Sequence, residues 1–128
     1  MSERVRPMRE PTYFVLASLF EGPLHGYGII TRAGELSAGR VRLVTGTLYT
    51  ALDRLIRDGY VSVVSKESVA GRVRRRYGLT GTGHCALRAE AARIGQAARV
   101  VSATGLPTVR DIVVIGGRLR IGGKDGTK

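Results

Sequence analysis

The chain has no tryptophan, one cysteine and only 5% aromatic residues among its 128 positions. The lone Cys85 excludes an intrachain disulfide. It reads as a small core or interface residue, since a redox role requires an exposed thiol of low pKa. So few aromatics argue against an aromatic-lined pocket for a large planar ligand. No apolar run approaches the ~20 residues that a membrane-spanning helix needs, and no charged start leads into a signal-peptide core. Histidine occurs twice, as His25 and His84, with no carboxylate or cysteine at metal-ligand spacing. His84 and Cys85 are adjacent, so on a helix they point to different sides and make a poor base–nucleophile pair. The glycines of GLTGTG lack the order of a nucleotide loop and fit a strand-to-helix junction better. The expectation is a cytoplasmic protein with no catalytic residue, no metal, no cofactor and no membrane partner.

Acidic residues are also scarce. Asp and Glu number 10 against 21 Lys and Arg, a formal net charge of +11. That excess favours a polyanionic partner, nucleic acid first and an anionic membrane second. Arginine outnumbers lysine, which suits bidentate contacts to phosphate and guanine. With 43% hydrophobic residues the chain has enough apolar surface for one domain with a modest core.

Residues 1–10 read as a polar, frayed arm. Pro11 and Thr12 open a first helix, with Thr12 near the cap, and Gly22-Pro23 ends its apolar run. A second helix begins at His25-Gly26-Tyr27, with Tyr27, Ile30 and Leu36 facing inward and Gly34 and Gly39 weakening its end. Residues 40–44 are β-prone. Thr45 is the expected N-cap of a third helix. Leu48, Leu52, Leu55 and Ile56 form its core stripe, and Thr47, Thr50, Arg54 and Arg57 a second, polar one. Gly59 stops it. Residues 60–65 read as a strand, 66–71 as a turn, and 72–79 as a return strand with Arg72, Arg74 and Arg76 on one face. Val73, Tyr77 and Leu79 share the other, which Arg75 interrupts, as a residue beyond the covered part of the strand would.

Thr80 or Thr82 caps a long last helix running to 104. Leu87, Ala91, Ile94, Ala98 and Val101 are spaced four, three, four, three along it, a heptad-like seam. A helix of roughly 35 Å ending so small a domain has little of its own chain to pack on, which predicts a homodimer. Glu90 and Arg93 read as solvent pairs. Residues 108–128 read either as a short hairpin or as a disordered tail.

Two stretches carry the functional argument. The third helix offers small residues, Thr45, Gly46 and Thr47, for close approach to a major groove. Tyr49 reaches a phosphate or a thymine methyl, Thr50 lies outward, and Arg54 is the candidate reader of guanine or phosphate. Taken alone, the helix is equally well an ordinary solvated surface. The hairpin tips the balance. Arg72, Arg74, Arg75 and Arg76, with Lys66, stand against Glu67 alone and repel one another unless an anion neutralises them. An edge strand guarded by charge needs only one or two such residues. The fold class is therefore mainly α with a small β-hairpin: a winged helix-turn-helix with a long C-terminal dimerisation helix.

The words REPTYFVLASLFEGPLHGYGI, GTLYTALDRLIRDGYV and GRVRRRYGLTGTG resemble, in order, the PadR family of bacterial transcriptional regulators in its short form. The resemblance covers residues 11–104. It implies a dimeric winged-helix repressor on a palindromic operator, often released by a small molecule. Tyr13, Phe14 and Phe20 are the nearby aromatic candidates for such an effector, with a core role the weightier reading of each. The chain departs from the family at Arg76, Thr50 and Gly78, which bears on wing geometry more than on function. The implied organisation is an arm at 1–10, a DNA-binding domain at 11–79, a dimerisation helix at 80–105 and a tail at 106–128. The alternative is a general nucleic-acid-binding architectural protein that uses charge without base readout.

Overall fold

The computed structural model describes residues 7–102 and the backbone of two strands at 112–115 and 118–121. The chain divides into two compact units, Met1–Ala91 and Ala92–Lys128. The order of elements is α1 (Glu10–Ser18), β1 (Leu24–His25), α2 (Gly26–Leu36), α3 (Thr45–Arg57), β2 (Val61–Val69), β3 (Arg72–Leu79), α4 (Gly81–Ser102), β4 (Ile112–Ile115) and β5 (Arg118–Ile121). The first unit is a winged helix, with an antiparallel sheet in the order β1-β3-β2. In the second, β4 and β5 pair as a hairpin, Ile112 opposite Ile121 and Ile115 opposite Arg118. The hairpin alternative for the tail is therefore the one adopted at those positions. Residues 103–104 of the expected last helix lie outside the described residues.

The core of the first unit joins Val15, Leu16 and Leu19 of the α1 region to Ile29, Leu48, Leu52, Leu55, Val61, Tyr77 and Leu87. Each buried leucine contributes roughly 1.5–3 kcal/mol relative to an exposed one. Helix α1 starts slightly earlier than the sequence suggests. Arg9 is its N-cap and Pro11 lies in the first turn, so Thr12 sits inside the helix and does not cap it.

Three expectations for α2 and its exit are corrected. Tyr27 is 77% exposed and Leu36 is 39% exposed, while Gly26, Ile29 and Ala33 are buried. The inward face runs through 26, 29 and 33, which turns the neighbouring Tyr27 outward. Residues 40–44 form no strand. The Val41 amide donates to Ser37 Oγ (2.9 Å) and Leu48 N to Val44 O, so this segment is committed to the α2–α3 corner. The third strand of the sheet is instead β1, with Leu24 opposite Tyr77 and His25 opposite Arg76. Helix α2 closes with Ala38 N bonded to Glu35 O and Gly39 N to Gly34 O, which places Ala38 at φ 55° and Gly39 at φ 83°.

Helix α3 has Val44 as its N-cap, with no side-chain bond, and Thr45 is its first helical residue. The expected Thr45 cap is displaced by one position because Leu48 N already bonds Val44 O. At the other end Gly59 N bonds Ile56 O, Tyr60 N bonds Leu55 O, and Gly59 takes φ 85°, a left-handed stop as its glycine predicts. Leu48, Leu52 and Leu55 are buried, whereas Ile56 is 37% exposed at the edge of the stripe.

The hairpin is longer than its sequence suggests. Strand β2 continues to Val69, opposite Arg72, so the turn is only Ala70-Gly71. Both turn residues have positive φ, 51° and 78°, the backbone of a two-residue hairpin whose twist matches its strands. A bulge at Val64 shifts the register between Val63↔Tyr77 and Ser65↔Arg76. Arg75 stays within β3, because the outer half of the hairpin is exposed on both faces and asks for no apolar side. Gly78 is buried, where an added Cβ would lie 3.1 Å from Val64 Cγ1 and 3.5 Å from Pro23 Cγ; the chain gains close packing there.

Thr80 caps α4: its Oγ1 accepts the Gly83 amide (2.9 Å) and donates to Gly59 O (2.6 Å). Gly83 lies against the Tyr60 carbonyl, where a Cβ would collide with backbone. The GLTGTG glycines thus serve the strand-to-helix junction. Leu87 enters the core, and Glu90 is 1% exposed. Glu90 is therefore no solvent pair; its Oε2 accepts the Met8 amide at 3.2 Å. Cys85 is exposed, so the core alternative for it fails.

Candidate nucleic-acid interface

The outward face of α3 carries Thr45, Gly46, Thr47, Thr50, Arg54 and Arg57, all exposed. Nothing lies within 4 Å of where a Cβ on Gly46 would be, so the start of the helix offers open backbone to a partner. Arg54 Nη2 donates to Thr12 Oγ1 of α1 at 3.4 Å. Tyr49, 41% exposed, turns away from this stripe: its ring centroid is 6.4 Å from that of Tyr77 and its hydroxyl abuts Gly26.

Along the hairpin Lys66, Arg72, Arg74 and Arg75 are exposed, and Arg76 is half-buried with Nη2 3.5 Å from Pro23 O. Register sets Lys66 opposite Arg75 and Glu67 opposite Arg74. Among the described residues none of the hairpin arginines makes an ion pair. A row of uncompensated guanidinium groups on a narrow ribbon is a surface suited to phosphates.

His25 ties this ribbon to the helical body, a role the sequence did not disclose. Its Nδ1–H donates to Arg75 O (3.1 Å), which leaves Nε2 facing the Glu67 carboxylate at 3.8 Å. The only clue in the sequence was its place before Gly26, and pairing of a two-residue strand has no periodicity to reveal it. Between α3, the start of α2 and the hairpin lies a cleft of about 530 Å³ lined by residues that include His25, Tyr27, Tyr49, Asp53, Val73, Arg75 and Tyr77. Burial raises the Tyr77 phenol above its ordinary pKa; Tyr49 and Asp53 add to the rise and Arg75 opposes it.

Residues 15–89 match the transcriptional regulator PadR-like family. That span runs from within α1 to within α4 and holds α3 and the whole hairpin. The chain belongs to the PadR-like family of transcriptional regulators.

Solved structures agree. The PadR-like fold is shared with a PadR-like transcription factor from Bacteroides fragilis, at 31% identity over 73% of this chain and 87% of that one, TM-score 0.61. A PadR family regulator from Eggerthella lenta shares 24% identity over 73% and 79% of the two chains, TM-score 0.59. Bacillus subtilis PadR, solved in complex with operator DNA, shares 24% identity over 62% of this chain and 46% of its own length, TM-score 0.56. A search of curated proteins gave no match.

The other residues singled out in this PadR-like chain are dispersed. Leu87 is 4% exposed in the core, whereas Ala91, Ile94, Ala98 and Val101 are exposed along α4. Tyr13 and Phe14 are half-buried, ring to ring at 5.3 Å and 86°. Phe20, 46% exposed, lies 5.0 Å from the His84 ring with the Arg88 guanidinium 5.9 Å from its centroid. Among the described residues no three metal-ligating side chains gather, and no helix is long and apolar enough to cross a membrane.

Proposed function

We propose that the chain is a sequence-specific transcriptional repressor that acts as a homodimer on a palindromic operator. The observation that carries this reading is the pairing of an open Thr/Arg face on α3 with an arginine ribbon in the same unit. In it, Thr45, Gly46, Thr47, Thr50 and Arg54 meet base edges and adjacent phosphates, while Lys66, Arg72, Arg74, Arg75 and Arg76 hold the backbone. Tyr49, turned toward Gly26 and Tyr77, reaches a phosphate or a thymine methyl only if its ring swings out of the cleft. The operator complex of Bacillus subtilis PadR supports the reading through the shared fold.

Dimerisation uses α4. Leu87 anchors the helix in its own domain, and Ala91, Ile94, Ala98 and Val101 meet a second copy. A small-molecule effector acts near Phe20, the most open of the aromatic trio of Tyr13, Phe14 and Phe20, by favouring a dimer spacing that mismatches the operator. The site of action is the cytoplasmic nucleoid.

Footprinting upstream of the chain's own gene tests the reading. Two protected half-sites centred about 34–36 Å apart, one helical turn, are expected. Operator affinity should exceed that for scrambled duplex by at least about 10³. Equal affinity for any duplex would favour a general architectural binder.

A further inference from the structure

Tyr27 stands where an inward-facing residue is expected, and its 77% exposure is the highest of the large hydrophobic side chains in the described residues. It borders two depressions. One is the cleft toward α3, which Arg74 and Arg75 also line; the other is a shallower hollow, which Arg74 and Arg76 also line. Tyr27 is therefore shared by two depressions, each of which is also lined by hairpin arginines. Burial does not explain it, since its neighbours Gly26 and Ile29 take the inward positions. An anion threading past Tyr27 would relieve the repulsion among the arginines. A small anion would satisfy one guanidinium. An elongated polyanion with apolar rungs satisfies all three and covers the phenol ring and Val73, itself 59% exposed, in the same cleft.

We infer that Tyr27 is a DNA-backbone contact: its hydroxyl donates to a phosphate and its ring lies against the adjoining deoxyribose, between the phosphates that Arg74, Arg75 and Arg76 hold. This rests on the DNA-binding reading and adds to it a neutral contact from α2, outside both α3 and the hairpin. Such a contact carries no sequence information. It also releases no counterion, so it strengthens binding without steepening the salt dependence.

The test compares the full chain with Tyr27→Ala and Tyr27→Phe on a scrambled duplex and on a duplex from upstream of its own gene. Tyr27→Ala should weaken both by the same factor, about five- to tenfold, as the removal of one hydrogen bond and its ring packing implies. Tyr27→Phe should fall between, and the slope of log affinity against log salt should be unchanged in both. In the wild-type chain, duplex should protect Tyr27 from nitration by tetranitromethane, read by mass spectrometry. Wild-type affinity for Tyr27→Ala, or nitration of Tyr27 undiminished by saturating duplex, would overturn the inference while leaving the DNA reading intact. A flattened salt slope in Tyr27→Ala would also overturn it, since the residue would then act only by placing arginines. A wild-type chain that binds neither duplex would overturn the DNA reading itself.

Discussion

A Cβ on Gly26 would lie 3.0 Å from Tyr49 Cζ and nearer still to the Tyr49 hydroxyl, so any larger residue at the start of α2 requires the Tyr49 ring of α3 to shift. This contact joins the start of α2 to α3. Gly26→Ala should displace the Tyr49 ring and destabilise the fold by about 1–3 kcal/mol, the usual cost of overpacking. Tyr49→Ala in the same chain should recover most of that deficit, and a double-mutant cycle by chemical denaturation measures the coupling.

The two glycines at the start of α4 should behave oppositely. Gly83→Ala drives a methyl into the Tyr60 carbonyl, backbone that cannot rotate away, and should cost about 3 kcal/mol. Gly81 has nothing within 4 Å of where its Cβ would stand, and Gly81→Ala should gain about 0.5–1 kcal/mol by restricting the unfolded chain. Thermal unfolding of the pair checks the sign of each.

Ala38 closes α2 at φ 55°, a left-handed backbone that costs a residue with a Cβ about 1–2 kcal/mol. Ala38→Gly relieves that strain and gives back part of it as unfolded-state entropy, for a net gain of about 0.5–1 kcal/mol. A higher Tm is the expected result. Ala70, at φ 51° in the hairpin turn, should respond in the same direction to Ala70→Gly.

Tyr77 gives the fold a defined alkaline limit. Its phenol is held above the ordinary value of 10.0, first by burial and then by Tyr49 and Asp53, against the opposing pull of Arg75. The folded state thus keeps a proton that the unfolded chain releases. The contribution is fully present below about pH 10 and is lost as pH rises toward the folded pKa. Denaturation midpoints followed from pH 9 upward should fall more steeply in the wild-type chain than in Tyr77→Phe.

Much of this was legible because it depends on periodicity and on turn chemistry. The stripe Leu48, Leu52 and Leu55, the stop at Gly59 and the cap at Thr80 each follow from local rules, and each stands where those rules put it. The misreadings share a cause in tertiary context. Tyr27 is apolar enough for a core, yet Gly26, Ile29 and Ala33 form the inward face of α2 and leave Tyr27 outward. Glu90 is charged enough for solvent, yet the backbone of Met8, 82 residues away, comes to it. Residues 40–44 are β-prone, yet no strand edge reaches them, and His25 takes the place beside β3. Of the candidate interface, the arginines and the outward face of α3 were readable from composition and spacing. The His25 tether and the cleft were not, because both join residues about 25 to 50 positions apart through a two-residue strand.

The most direct test of the central claim is the salt dependence of duplex affinity for the wild-type chain and for Arg72→Ala/Arg74→Ala. If the hairpin holds DNA phosphates, the double variant should bind all duplexes more weakly. Its slope of log affinity against log salt should also be shallower by about 0.9 for each phosphate left without its arginine, about 2 in all. Parallel lines of equal affinity would contradict the account, because the arginine ribbon would then lie away from the nucleic acid.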